Sequence, residues 1–207
     1  MGLLKILIND PLTFVLIAIP LLYAVIFHEL AHGWTADRLG DPTARTFGRL
    51  TLNPLKHLDP MGTLMLFVFG FGWAKPVPVN LRRLHPQRAG MLLVSAAGII
   101  ANTLLAFGAL LAYRWLALPA QALPAKLLFY FAQINIILAA FNLIPLPPLD
   151  GSKMLLSVAP AAVRNVILRL ERYGLIIIVG LLYLDVLGPV IRFFQWMTLA
   201  PINRLLP

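Results

Sequence analysis

The stretch Pro11–Pro42, PLTFVLIAIPLLYAVIFHELAHGWTADRLGDP, decides how this chain folds. From Pro11 to Phe27 it carries no charged side chain, and the apolar character continues past the HELAH that follows. About 20 helical residues cross the hydrocarbon core of a bilayer, so the segment is long enough to span. Asn9-Asp10-Pro11 is a helix start signal and Gly40-Asp41-Pro42 a stop signal, so the spacing predicts a helix over 11–39.

The rest of the chain agrees with a bilayer as solvent. Of 207 residues, 60% are hydrophobic and only 12% charged, outside the range of ordinary soluble domains. In lipid, backbone polar groups must be satisfied within the segment, which predicts helices. Further apolar runs lie at 89–118, 124–143 and 163–187, with an apolar tail over 188–207. Met61–Trp73 is too short to cross, carries Gly70 and Gly72, and leads into AKPVPVN, so it reads as re-entrant. The expected fold is one all-α polytopic domain over 1–207, with about five transmembrane helices plus a short re-entrant segment or β-hairpin. The N-terminal run lacks a small-residue cleavage pattern and reads as a retained helix.

The net charge of +9 is scattered through short loops, without the clustering of a nucleic-acid footprint. No nucleic-acid partner is expected; the lipid bilayer is. Of the 17 Lys and Arg, eight lie from Arg38 to Arg88 and four from Lys153 to Arg172, leaving five for the opposite side. Positive residues are retained on the cytoplasmic side, so the N-terminus is expected outside and the 40–90 region in the cytoplasm.

Within HELAH, His28 and His32 are four residues apart and share one helix face. In H-E-x-x-H zinc hydrolases the two imidazoles hold the metal, and the intervening glutamate, here Glu29, takes a proton from the water that zinc acidifies. With four His and no Cys in the chain, a third ligand must be His, Asp or Glu. His57, Asp59 and His85 lie in basic loops and suit turn hydrogen bonds; Asp185 sits toward the outer end of 163–187; Glu171 has arginine neighbours. Asp150 follows NLIPLPP on the same side as His28 and His32. An Asp before Gly151 is an ordinary turn residue. Three prolines breaking a helix at membrane depth, however, are tolerated only in buried backbone or beside a wet cavity, which favours Asp150 as the ligand.

Together these residues resemble the site-2 protease family of intramembrane zinc metalloproteases, in its compact form without a PDZ or CBS domain. The matching pieces are HELAH at 28–32, NLIPLPPLDG at 142–151, Asn102 in AAGIIANTLLA and Gly70-Phe71-Gly72, with LNPLKHLDPMGT and GWAKPVPVN between. The likeness covers most of the chain from about 20 to 155. It implies one zinc ion on His28, His32 and Asp150, with Glu29 as general base. It offers Asn102 and Asn142 as transition-state or substrate support, where interhelical hydrogen bonding explains them equally well. Gly70, Phe71 and Gly72 become a candidate edge for substrate. The implied partner is a transmembrane protein substrate, cut near the cytoplasmic side of a bacterial or archaeal cell membrane. The rival readings are a zinc carrier or silent binder, and a zinc hydrolase of lipid-linked substrates.

Overall fold

The computed structural model describes residues 2–205. A short helix α1 (Leu3–Asn9) ends at Asp10, whose carboxylate accepts the Thr13 amide at 3.1 Å and so caps α2 (Pro11–Arg38). After α3 (Thr43–Thr46) and α4 (Pro60–Phe69) come two long helices, α5 (Gln87–Trp115) and α6 (Leu123–Leu143). The chain closes with α7 (Asp150–Val158), α8 (Ala161–Glu171), α9 (Gly174–Tyr183) and α10 (Leu187–Leu205). Three helices, α2, α5 and α6, are long and apolar enough to cross a membrane. A fourth span exists only if α9 and α10, bent by 98° to each other, count as one.

The expected helices at 11–39, 89–118 and 124–143 are therefore present within a few residues. About five spans become three or four. The helix expected over 163–187 is broken at Arg172–Tyr173 into α8 and α9. Arg164, Arg169 and Glu171 make α8 amphipathic, and such a helix lies along a surface more readily than it enters lipid. No strand forms among the described residues, so the β-hairpin is not seen. Instead 60–69 is helical, and the chain returns in extended form through one isolated antiparallel bridge, Leu58 to Ala74.

Local chemistry explains that return. Asp59 accepts the Gly62 amide at 2.7 Å and starts α4; Gly70, with φ 77°, ends it in the left-handed region. Gly72 then lies directly on α4, where a Cβ would stand 2.2 Å from the Gly62 carbonyl oxygen.

The α2, α5 and α6 bundle closes on small residues. Ala24, Ala106, Ala132, Ala139 and Ala140 are all buried, allowing the backbones to approach as packing in lipid requires. The turn after α6 is held from outside by Ile144 and Leu149, which pack with Ile178 of α9 and Leu187 of α10. On the loop side, fully buried Asp41 accepts the Thr43 amide at 3.2 Å, the Thr43 hydroxyl and the Asn80 amide at 2.5 Å. One carboxylate thus ties the end of α2 to the segment leading into α5. Bonds to a charged group are worth about 1.5–3 kcal/mol, so Asp41→Ala is expected to loosen residues 41–86. Limited proteolysis in detergent should cut that region faster while the helical circular dichroism signal stays unchanged.

Candidate metal centre

His28 and His32 lie one turn apart on α2, both buried, with their rings edge to face at 4.6 Å between centroids. Asp150 opens α7 and is carried to them by the IPLPPL turn after α6. Gly151 makes this possible, because a Cβ there would come within 2.4 Å of the Leu143 carbonyl oxygen. As a result His28 Nε2, His32 Nε2 and Asp150 Oδ2 stand 3.0 Å from one another in all three pairs.

The proton positions follow from the partners behind them. Asn102 Nδ2 donates to the Ala24 carbonyl at 3.2 Å and to Asn135 Oδ1 at 2.7 Å, which leaves Asn102 Oδ1 to accept from His28 Nδ1–H at 2.6 Å. His32 Nδ1–H donates to the Val94 carbonyl at 2.6 Å. In the neutral imidazoles that bind a metal, both Nε2 atoms then point lone pairs at each other and at the carboxylate. Such a triangle is repulsive unless a cation occupies it. A tetrahedral zinc site with bonds of about 2.0–2.1 Å spaces its ligand atoms about 3.3 Å apart, close to what is found. The residues fit zinc, and three protein ligands are the number that leaves a coordination position open for chemistry. Among the described residues this is the one group of three His, Asp or Glu side chains that could hold a metal ion.

Gly98 of α5 forms the floor. A Cβ there would lie 2.5 Å from both His28 Cε1 and His32 Nε2, so the pair of rings fits only over a glycine. Asn135, fully buried on α6, donates to the Phe131 carbonyl at 2.8 Å and completes the line Asn135–Asn102–His28. Sequence reasoning missed both residues. Asn135 carried a signal, a polar side chain inside an apolar helix seven residues before Asn142; Gly98 carried none beyond its small size.

Glu29 faces away from this line, and its Oε2 accepts the Val77 amide at 2.7 Å. It borders two clefts that flank the centre. The larger, about 500 Å³, is lined by His28, Glu29, Asp150, Asn142, Lys153 and Gly72–Ala74; the smaller, about 180 Å³, by Glu29, His32, Asp150, Ser95 and Val77. Lys153 Nζ reaches Asp150 Oδ1 at 3.3 Å. Asn142 thus reaches the cleft, its Nδ2 donating to the Leu138 carbonyl at 3.0 Å, whereas Asn102 lines neither cleft and stands behind His28. Of the glycine-rich dip, Gly72 borders the larger cleft; Gly70 and Phe71 do not, and Phe71 packs with the Ile144 cluster. Asp59 caps α4, buried His57 turns Nε2 to the Thr51 carbonyl at 2.8 Å, Asp185 lies between α9 and α10, and none of these or His85 joins the centre. Glu171 borders the larger cleft without joining the triangle.

Comparison with known proteins gives this geometry a family. Residues 116–184 match the model of Peptidase family M50. The Bacillus subtilis protein named zinc metalloprotease YwhC is 43% identical over 168 residues, covering 78% of this chain and 77% of that one. The chain belongs to peptidase family M50, the site-2 proteases. The Mycolicibacterium smegmatis protein named zinc metalloprotease Rip2 is 31% identical over 173 residues, 82% of this chain and 67% of that one. MJ0611 of Methanocaldococcus jannaschii, also named a zinc metalloprotease, is 31% identical over 150 residues, 70% and 71% of the two chains. No solved structure matches significantly. This M50 member is accordingly a zinc metalloprotease with apolar helices for an integral membrane setting.

Partners behind metal ligands typically matter 10- to 100-fold in metal affinity. Gly98→Ala, which drives a methyl into both imidazoles, is expected to lower zinc affinity by at least about tenfold on that scale, with the helical signal retained. Zinc titration of the purified protein, followed by metal analysis, checks it.

Proposed function

We propose that this protease hydrolyses peptide bonds of transmembrane protein substrates, within the bilayer and near its cytoplasmic side, with His28, His32 and Asp150 holding zinc and Glu29 as general base. The observation that carries this reading is the triangle of three ligand atoms opening onto a cleft that Glu29 also borders. Zinc bound there supplies a Lewis acid for the scissile carbonyl and acidifies water toward neutrality.

The protein's own groups divide the remaining work. Val77 N–H holds one oxygen of Glu29, so the carboxylate is oriented while its second oxygen remains to take a proton. Asn102 and Asn135 keep the proton of His28 on Nδ1 and so act as positioning residues. Lys153 holds the second oxygen of Asp150 and lines both clefts, and Asn142 supplies a polar side chain on the substrate side. A substrate helix hides its carbonyls in its own hydrogen bonds and must unwind before attack. Gly72–Pro76 borders the larger cleft, and its other edge is already tied at Leu58 and His57 through the Ala74 bridge and the 2.8 Å Lys75 N–H to His57 bond. An unwound segment can therefore be taken up along it as an added extended chain.

Orientation rests on charge. His28 lies ten residues before the end of α2, about 15 Å along the axis, on the half nearest the Lys- and Arg-rich loops. The positive-inside tendency assigns that half to the cytoplasm.

A zinc carrier would need the three ligands and have no use for Glu29. Glu29→Gln is expected to keep its zinc and lose at least about a hundredfold in cleavage of a reconstituted membrane substrate, the lower range of a general base's contribution. Cleavage at the wild-type rate would overturn the mechanism, and release of a lipid-linked product in place of peptide fragments would overturn the substrate class.

A further inference from the structure

On the loop side of the bundle, the 47–58 loop and the segment after Ala74 line a cavity of about 370 Å³. Arg49, Lys56 and Lys75 line it, with Phe47 and Leu55 around them. Arg49 is only 8% exposed; one of its Nη atoms donates to the Lys75 carbonyl at 2.7 Å, and its buried Nε has no partner. Among the described residues no Asp or Glu forms an ion pair with any of the three cations; Asp37 pairs with Arg45 and Asp150 with Lys153. The neighbouring carboxylates are otherwise engaged, Asp41 by Thr43 and Asn80, Asp59 by the Gly62 amide.

Three like charges converging on one cavity repel, and an unpartnered buried guanidinium N–H adds to the cost. An anion removes both. The rim says which kind. Phe47 is 69% exposed and Leu55 77% exposed, on a loop adjoining the end of a membrane-spanning helix, where large apolar side chains meet lipid rather than water. Phosphate suits a guanidinium with two ammonium groups, and anionic lipid headgroups are concentrated at cytoplasmic surfaces that attract such clusters.

We infer that this pocket binds the phosphate of an anionic lipid headgroup, with Arg49 at its floor, Lys56 and Lys75 at its mouth, and Phe47 and Leu55 against the acyl chains. The site shares no residue with the metal centre and does not depend on the reaction there. It does sit against the segment whose Val77 amide holds Glu29, because Arg49 and Lys75 are joined directly.

Lys56 and Lys75 are exposed, so Lys56→Gln with Lys75→Gln removes the charge without disturbing the fold. The full chain, delipidated in detergent, is titrated with phosphatidylglycerol or phosphatidylcholine and observed by native mass spectrometry. One phosphatidylglycerol per chain is expected to be retained in preference to phosphatidylcholine, and the double variant to bind it about tenfold more weakly or worse, in line with the attraction per basic residue near a membrane surface. Arg114→Gln, an exposed charge at the far end of α5, should leave retention unchanged. Equal retention of both lipids, an equal loss in Arg114→Gln, or no loss in the double variant would each overturn the assignment. So would displacement of the lipid by millimolar inorganic phosphate, which would make the site one for free phosphate.

Discussion

Two imidazole nitrogens and a carboxylate oxygen, each 3.0 Å from the others, crowd together at the centre of the bundle, and the packing around them follows from that crowding. Lone pairs crowd this way in an apolar bundle only if something behind them holds the protons on the far side of the rings and a cation compensates in front. For His28 the hydrogen-bond line from Phe131 through Asn135 and Asn102 does the first, crossing α6, α5 and α2, and for His32 the Val94 carbonyl does it. That line needs three backbones close together, which is why alanines and Gly98 occupy the contacts where larger side chains would otherwise pack.

A dry bundle would hold the metal and do nothing with it. The larger cleft beside it is bordered by two breaks in regular structure, the proline turn after α6 and the extended return after the short α4. Both place irregular backbone beside the centre, and in both it is packed against protein: Ile144 and Leu149 against α9 and α10, Gly72 against Gly62. Irregular backbone inside a membrane protein is stable only under that condition. The same segments border the larger cleft, so the irregular backbone that lines it is packed against protein on its other side.

Legibility in the sequence followed the range of the interaction. HELAH was readable because its geometry is local: four residues bring two side chains onto one helix face whatever surrounds it. The long helices were readable from uninterrupted apolar length. Asp150 needed one further step, the side of the membrane on which the PLPPLD turn must lie. The break between α8 and α9 was misread because a stretch averaged over 163–187 is apolar even though Arg164, Arg169 and Glu171 give its first half a wet face. The hairpin expected at 61–73 came from resemblance, and Asp59 and Gly70 instead cap a helix at its two ends.

Helical character, enough apolar length for a bilayer, the zinc-hydrolase spacing of His28, Glu29 and His32, and Asp150 as the acid best placed to join them were all readable from the chain alone. Periodicity and burial in lipid act residue by residue, so they are written in the chain. Packing was needed to reveal that Asn102 bonds His28 and stands away from the cleft, that Asn135 and Gly98 adjoin the same histidines or their partner, and that the Val77 amide holds Glu29. Each of those is a contact between residues 33 to 74 positions apart, set by how three helices and a loop pack against one another.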